Sequence, residues 1–200
     1  STVLTTTLSS PTNTSPMPFT ITFSESVTGF EDSDVTVTNG TVSSISGSGT
    51  TYTVNITPTA DGTVSVQIPG SIATDSGGEH NSSSNLLQIE YMGSAPGATI
   101  TSTVDSLTNV SPVPITATFN KSVTGFEVGD LTITNGTSSD FSGSGTTYTF
   151  NVTPTANGTV TVEIPTGICT DAAGNTNIPS SSSLFYDTTS PSITITTPVT

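Results

Sequence analysis

The stretch "SGSGTTYTVNIT", residues 46–57, joins a turn to an alternating strand. Its two glycines favour a tight turn. The residues after them place Tyr52, Val54 and Ile56 on one side and Thr and Asn side chains on the other. A period of two is typical of a strand with one buried face. The stretch therefore predicts one arm of a β-hairpin that covers a hydrophobic core.

The same stretch belongs to an internal repeat. "SGSGTTYT" recurs at residues 142–149, and "SVTGFE" occurs at residues 26–31 and again at residues 122–127. Placing residues 26–81 over residues 122–177 gives 37 identities in 56 positions without a gap. Such a period indicates that one folding unit occurs twice.

Further alternating runs, separated by turns such as "TNG" and "PTADG", complete each copy. They predict about seven short strands in roughly 95 residues, the size of an immunoglobulin-like sandwich. The sequence therefore predicts an all-β chain of two tandem immunoglobulin-like β-sandwich modules, at residues 1–95 and 96–190. Residues 191–200 are expected to begin a third module or to act as a strand donated to another chain.

Composition restricts the partners. The net charge is −14, and Lys121 is the single Lys or Arg of the chain. Nucleic-acid binding and attraction to anionic membranes both need clustered basic residues, so the sequence predicts neither. No apolar run is long enough for a membrane span, so no direct membrane insertion is expected. Cys169 is the one cysteine and has no partner for an intrachain disulfide.

Acidic and amide side chains concentrate in two loops of each module, the loop between the second and third strands and the loop before the last strand. Strand alternation places both loops at one end of the sandwich. Calcium takes six to eight oxygen ligands, which such loops supply. Asp, Asn and Gly are also ordinary turn residues, so a turn without metal is the alternative interpretation. The candidate calcium ligands are Glu31, Asp34, Asp75, Glu79, Asn81, Glu127, Asp130, Asp171, Asn175, Asn177 and, from the second linker, Asp187.

The two linkers differ. The second one, "YDTTSP", carries Asp187, which we expect to reach an ion shared with a following module. The first one, "YMGSAP", has Met92 at the corresponding position. We therefore expect the first junction to be metal-free or more flexible.

Catalysis is not expected. His80 is the only histidine, and Thr176 takes its place in the second copy, so no Ser-His-Asp arrangement occurs twice. Lys121 could form an isopeptide cross-link only in the second copy, because Glu25 occupies its place in the first. The simpler interpretation is an exposed lysine at a strand end.

Taken together, "FSESVTGF", "DVTVTNGT", "PTADGTV" and "ATDSGGEHN" make the chain resemble the bacterial Ig-like repeats of large surface and secreted proteins. The resemblance covers both copies. It implies an extracellular or cell-surface location in tandem arrays, often in adhesins and frequently stiffened by calcium near module junctions. It implies no enzymatic activity.

Three functions follow as expectations. The first is a non-catalytic structural spacer in a repetitive surface adhesin, whose partners are neighbouring modules of the same chain. The second is a subunit of an extracellular filament or sheath, in which identical chains exchange strands through unpaired sheet edges. The third is a module that binds carbohydrate or another ordered surface.

Overall fold

The computed structural model describes residues 1–195. The chain forms two compact units, Ser1–Ala95 with Ala172–Asn175, and Pro96–Asp171 with the residues from Thr176 onward. Both units are built from β-strands, and the prediction of an all-β chain of tandem immunoglobulin-like sandwiches is confirmed. Among the described residues, the helical turns are two short 3-10 turns, Asp32–Asp34 and Val128–Asp130.

The first module has two sheets. One contains the strands β1-β2-β4 in that order, with β6 paired to the end of β2, and the other contains β3-β5-β7. This arrangement matches the two layers of a constant-type immunoglobulin sandwich. The strands are β1 (Thr2–Thr5), β2 (Met17–Thr28), β3 (Thr36–Thr38), β4 (Gly40–Pro58), β5 (Gly62–Gln67), β6 (Thr74–Asp75) and β7 (Leu87–Tyr91).

The long strand β4 doubles back on itself. The Ser43 hydroxyl donates to the Asn55 carbonyl at 3.0 Å, and the Asn55 amide donates to the Ser44 hydroxyl at 2.8 Å. At Gly47, where φ is +110°, an added Cβ would lie 2.4 Å from the Thr51 carbonyl oxygen, so the turn needs glycine there. The hairpin expected from "SGSG" is therefore present, and its two arms lie within one continuous strand.

The second module repeats this plan with one difference at the sheet edge. Its sheets are β12-β10-β8 and β11-β13-β14-β9, and the two-residue strand β9 runs parallel to β14. The strands are β8 (Ala98–Ser102), β9 (Leu107–Thr108), β10 (Val113–Val123), β11 (Thr132–Thr134), β12 (Gly136–Pro154), β13 (Gly158–Ile164) and β14 (Ser180–Tyr186).

Each core is apolar and centres on a small aromatic cluster. In the first module Phe23, Phe30 and Tyr52 meet edge to face, with ring centroids 5.1 to 5.8 Å apart. The Tyr52 hydroxyl donates to the Val27 carbonyl at 3.3 Å, so the buried ring keeps a polar partner. Each such aromatic pair contributes about 0.5–1.5 kcal/mol beyond its buried area. The corresponding rings of the second module, Phe119, Phe126 and Tyr148, pack in the same way.

The structure describes only part of the C-terminal segment, residues 191–200. Residues 191–195 form no strand, and the side chains of Ile193 and Ile195 are more than four-fifths exposed. The rest of the segment expected to start a third module or to be donated lies outside the described residues. Within the described part of the chain, no helix is long and apolar enough to cross a membrane.

Candidate functional site

The predicted loops meet at the end of the second strand of each module. In the first module Val27, near the end of β2, pairs with both Gly49 of the hairpin turn and Asp75 of the last loop. In the second module Val123 pairs with Gly145, and the adjacent Thr124 bridges Thr170. Three turns of one module therefore come together at one end of its sandwich.

The first acidic loop is held by its own carboxylates. Asp34 accepts a hydrogen bond from the Glu31 backbone N–H at 2.8 Å, and Asp130 accepts the same bond from Glu127 at 2.7 Å. Both pairs cap short 3-10 turns. Asp34 thus lies within a 3-10 turn. The capping acids keep the turn's backbone N–H groups satisfied, as in helix N-caps.

In the last loop of the first module, Asp75 closes a tight turn. One of its carboxylate oxygens accepts the backbone N–H groups of Gly77 at 2.8 Å and Glu79 at 2.9 Å. The side chain of Glu79 is exposed. These are the hydrogen bonds of an ordinary turn that begins with Asp, so the Asp and Gly of the motif have a structural role without a metal.

The final asparagine of the motif is buried and fully bonded. The Asn81 side-chain oxygen accepts the N–H groups of Ile72 and Ala73 at 3.0 and 2.9 Å. Its amide donates to the carbonyls of Pro69 and Ser82 at 2.9 and 3.0 Å.

Asn177 makes the matching set in the second module. Its oxygen accepts from Ile168 and Cys169, and its amide donates to the carbonyls of Pro165 and Ile178. With 1% of its surface exposed, Asn177 lies deeper than Asn81, at 9%. Each asparagine ties its loop to the module because one side chain satisfies four backbone groups.

The aspartate at the start of this loop differs between the copies. Asp171 is buried, with its side chain 0% exposed, and its carboxylate lies 3.7 Å from the Lys121 ammonium. Asp75 is half-buried, and Glu25 stands where the second copy has Lys121. The only basic side chain of the protein is therefore paired inside the second module. Asn175, in the same loop as Asp171, is half-buried.

Cys169 borders this loop and is buried. Burial, and secondarily the negative charge of Asp130, raise the pKa of its thiol to about 11. A thiol with so high a pKa is a poor nucleophile, which agrees with a packing role.

The second linker is fastened to its own module. Asp187 accepts hydrogen bonds from the Asn157 amide at 3.0 Å and the Thr189 N–H at 2.8 Å. Asn157 accepts in turn from the N–H and hydroxyl of Thr188 at 3.1 and 2.9 Å. The hydrogen bonds from Thr189 hold the pKa of Asp187 below its ordinary value of 3.8.

The first linker is fastened at the same place by a residue that the sequence analysis did not single out. Asp61, the repeat partner of Asn157, accepts the N–H groups of Gly93 and Ser94 at 2.7 and 3.1 Å. Its other oxygen bonds the Ser94 hydroxyl. The sequence signal for these residues is that both turns, "PTADG" and "PTANG", carry an Asp or Asn before Gly. We call Asp61 with residues 93–94, and Asn157 with residues 187–189, the linker clasps.

Most of the predicted ligands therefore serve as turn caps, buried amides, an ion pair or part of a linker clasp. Among residues 1–195, no three His, Cys, Asp or Glu side chains are placed to hold one metal ion. Calcium needs about six oxygens on a single ion. Calcium binding at these loops stays a prediction.

The sequence profile of the bacterial Ig-like domain matches residues 2–91 and again residues 93–188. The chain belongs to the bacterial Ig-like domain family. The resemblance seen in the repeat motifs is thereby confirmed for the family. A comparison with curated proteins gave no match.

Several solved structures resemble this bacterial Ig-like chain. InvD of Yersinia pseudotuberculosis is 15% identical over 100% of the chain, with a TM-score of 0.41. Invasin, described as a bacterial integrin-binding protein, is 14% identical over 93%, with a TM-score of 0.33. The D0-D1 domain of intimin is 16% identical over 94%, with a TM-score of 0.28. The chain spans 63% of the InvD chain, 38% of the invasin chain and 98% of the intimin fragment.

Proposed function

We propose that this chain is a non-catalytic spacer of a bacterial surface adhesin, displayed outside the cell as part of a tandem array. The proposal rests first on family membership, because two bacterial Ig-like domains follow one another in this chain. Its work would be to supply length and to resist unfolding and proteolysis. One Lys and no Arg leave trypsin a single site in 200 residues.

The observation that carries the spacer role is the pair of linker clasps. A spacer must hold the chain segment that leaves each module, since a loose segment would let neighbouring modules swing freely. Asp61 and Asn157 each bind the linker that follows their own module through three or more hydrogen bonds. These bonds restrain the linker without a metal ion.

A clasp variant tests this role. In Asp61→Ala, the amides of Gly93 and Ser94 lose their acceptor, so we expect their hydrogen exchange to accelerate at least tenfold. Exchange in the strands of the first module should stay unchanged. The matched control is Asn157→Ala, which should release Thr188 and leave the first linker protected. Unchanged exchange at residues 93–94 in Asp61→Ala would show that the clasp does not order the linker.

Surface display is tested on the source cells. Antibodies raised against the chain should label intact, non-permeabilised cells, and protease treatment of those cells should remove the label. Labelling that requires permeabilisation would overturn the proposed location. A spacer carries no ligand site, so we expect the purified chain not to bind to an array of immobilised glycans. A saturable binding signal would favour the carbohydrate-binding alternative.

A further inference from the structure

The sequence Asn-Gly-Thr occurs three times in the chain, at residues 39–41, 135–137 and 157–159. An asparagine before glycine is prone to deamidation, because glycine has no side chain to shield its backbone nitrogen from the amide carbon of the asparagine. Since the local sequence is the same at all three places, the surrounding structure decides which of them reacts. In the first module, the counterpart of the third site is Asp-Gly-Thr at residues 61–63, so a carboxylate already occupies that position.

Asn39 and Asn135 lie in tightly packed turns. Each is half-buried, and each side-chain amide donates to an alanine carbonyl, at 2.9 Å in the first module and 2.8 Å in the second. An added Cβ at the following glycine, Gly40 or Gly136, would lie 2.8 Å from a core side chain. Ring closure requires the peptide group after the asparagine to rotate toward the side chain, and at these two sites the packing leaves no room for that rotation.

Asn157 is exposed, and its surroundings are open. An added Cβ at Gly158 would have its nearest neighbour at 3.7 Å, the side-chain amide nitrogen of Asn135. The Asn157 side-chain oxygen accepts two hydrogen bonds from Thr188, from the N–H at 3.1 Å and from the hydroxyl at 2.9 Å. These donors stabilise the negative charge that develops on the oxygen when a nucleophile attacks the amide carbon.

We propose that Asn157 is a site of spontaneous deamidation and that this modification opens the second linker clasp. The Gly158 backbone nitrogen, after losing its proton to solvent, attacks the side-chain carbon of Asn157 and forms a cyclic imide. The bond from this carbon to the amide nitrogen breaks, and the nitrogen takes up a proton and leaves as ammonia. Water then adds to either carbonyl carbon of the imide and reopens it to aspartate or isoaspartate. Water is consumed and ammonia is released, with no oxidation or reduction.

The product does not fit the second clasp. The Asn157 amide donates to Asp187 at 3.0 Å and to the Thr189 hydroxyl at 2.6 Å, and both donations end when the amide becomes a carboxylate. Two carboxylates would then face each other at the distance of a hydrogen bond, where like charges repel. The first clasp avoids this conflict, because Met92 and not an acid accompanies Asp61 at the position equivalent to Asp187. The opening step rests on the proposed role of the clasps, whereas the deamidation does not.

Peptide mapping by mass spectrometry tests the modification on the full chain, incubated at mildly alkaline pH in water labelled with heavy oxygen. We expect Asn157 to take up the label about tenfold faster than Asn39 and Asn135, which corresponds to about 1.4 kcal/mol of activation free energy. Thr188→Val keeps the shape of the side chain but removes its hydroxyl, so it should slow the reaction at Asn157 by about threefold or more. A rate at Asn157 no higher than at the other two asparagines, or one unchanged in Thr188→Val, would overturn the proposal.

Hydrogen exchange tests the opening of the clasp. Asn157→Asp has the side chain of the product, and it should accelerate exchange of the Thr188 amide about tenfold while exchange in β13 stays unchanged. Adding Asp187→Met reproduces the pair of Asp61 and Met92 in the first copy and should restore the protection of Thr188. Unchanged exchange in Asn157→Asp would overturn the opening step. If Asp61→Ala failed to release the first linker, that result would contradict the proposed role of the clasps but not the deamidation, which peptide mapping measures directly.

Discussion

The two copies of the repeat close the same loop with different electrostatics. Asn81 and Asn177 make matching sets of hydrogen bonds, so the loop backbone is held alike in both modules. The neighbouring aspartate is half-buried near other acids in the first copy and buried against Lys121 in the second. In the first module, Glu25, Asp75 and Glu79 line one cleft.

The comparison separates what the fold requires from what each copy adds. A buried amide that satisfies four backbone groups is needed wherever this loop occurs, because unpaired backbone groups are costly to bury. The ion pair is an addition, since the first copy folds the same loop without it. The linkers also share one arrangement with different residues. The carboxylate of the clasp is Asp61 on the turn in the first copy and Asp187 on the linker in the second.

The largest expected effect comes from the shared asparagines. Asn177→Ala should destabilise the second module by about 3 kcal/mol, because it leaves several buried backbone groups without partners. Asn81→Ala should lower the stability of the first module by a similar amount. Calorimetry of the full chain checks this. If only one of the two variants lost stability, the loops would not be held alike.

The next effect belongs to the second module alone. Lys121→Met keeps the apolar stem of the side chain but leaves the buried carboxylate of Asp171 without its cation. We expect a loss of about 2 kcal/mol, less than for a fully buried pair because Lys121 is partly exposed. Denaturant unfolding of the full chain measures it.

Glu25→Met is the matched control in the first module. It removes an exposed acid near Asp75, so the stability should stay within about 0.5 kcal/mol of the wild type. A loss in Glu25→Met as large as in Lys121→Met would show that the ion pair does not distinguish the copies.

The repeat and the strand alternation were sufficient to predict the two sandwiches, because inward positions such as Tyr52, Val54 and Ile56 determine which face is buried. The roles of the loop acids were harder to predict. Asp171 and Asp75 occupy the same motif position, and only the three-dimensional neighbour, Lys121 or Glu25, decides their environment.

The linker clasps depend on contacts between distant segments. Asp61 contacts residues about 30 positions away, and its sequence signature is that of an ordinary turn. Local patterns do not contain this information.

A smaller effect distinguishes the linkers in acid. The pKa of Asp187 is lowered by its bonds to Thr189, so the charged carboxylate is favoured in the folded protein. The clasp should be complete above pH 3.8, the ordinary value, and be lost as the pH falls through the lowered value. The Thr189 amide signal should therefore titrate below pH 3.8, and in Asp187→Asn this titration should disappear. A midpoint above 3.8 would contradict the bonding described for the second linker.

Calcium should have the smallest effect on stability, and the difference between the two modules predicts which module it affects. In the second module the Lys121 ammonium already faces Asp171, so an added cation gains little there. In the first module Glu25 stands in place of Lys121 and shares a cleft with Asp75 and Glu79, which are not placed to hold one ion together, so a divalent ion would be attracted only weakly.

Replacing chelator by millimolar calcium should therefore raise the midpoint of the first module by about 2 °C or less and leave the second unchanged. Magnesium at the same concentration controls for general screening by salt. A large shift in the second module, or a shift that depends on Asp187, would instead favour an ion near the second linker and show that the Lys121–Asp171 pair does not take the place of a cation.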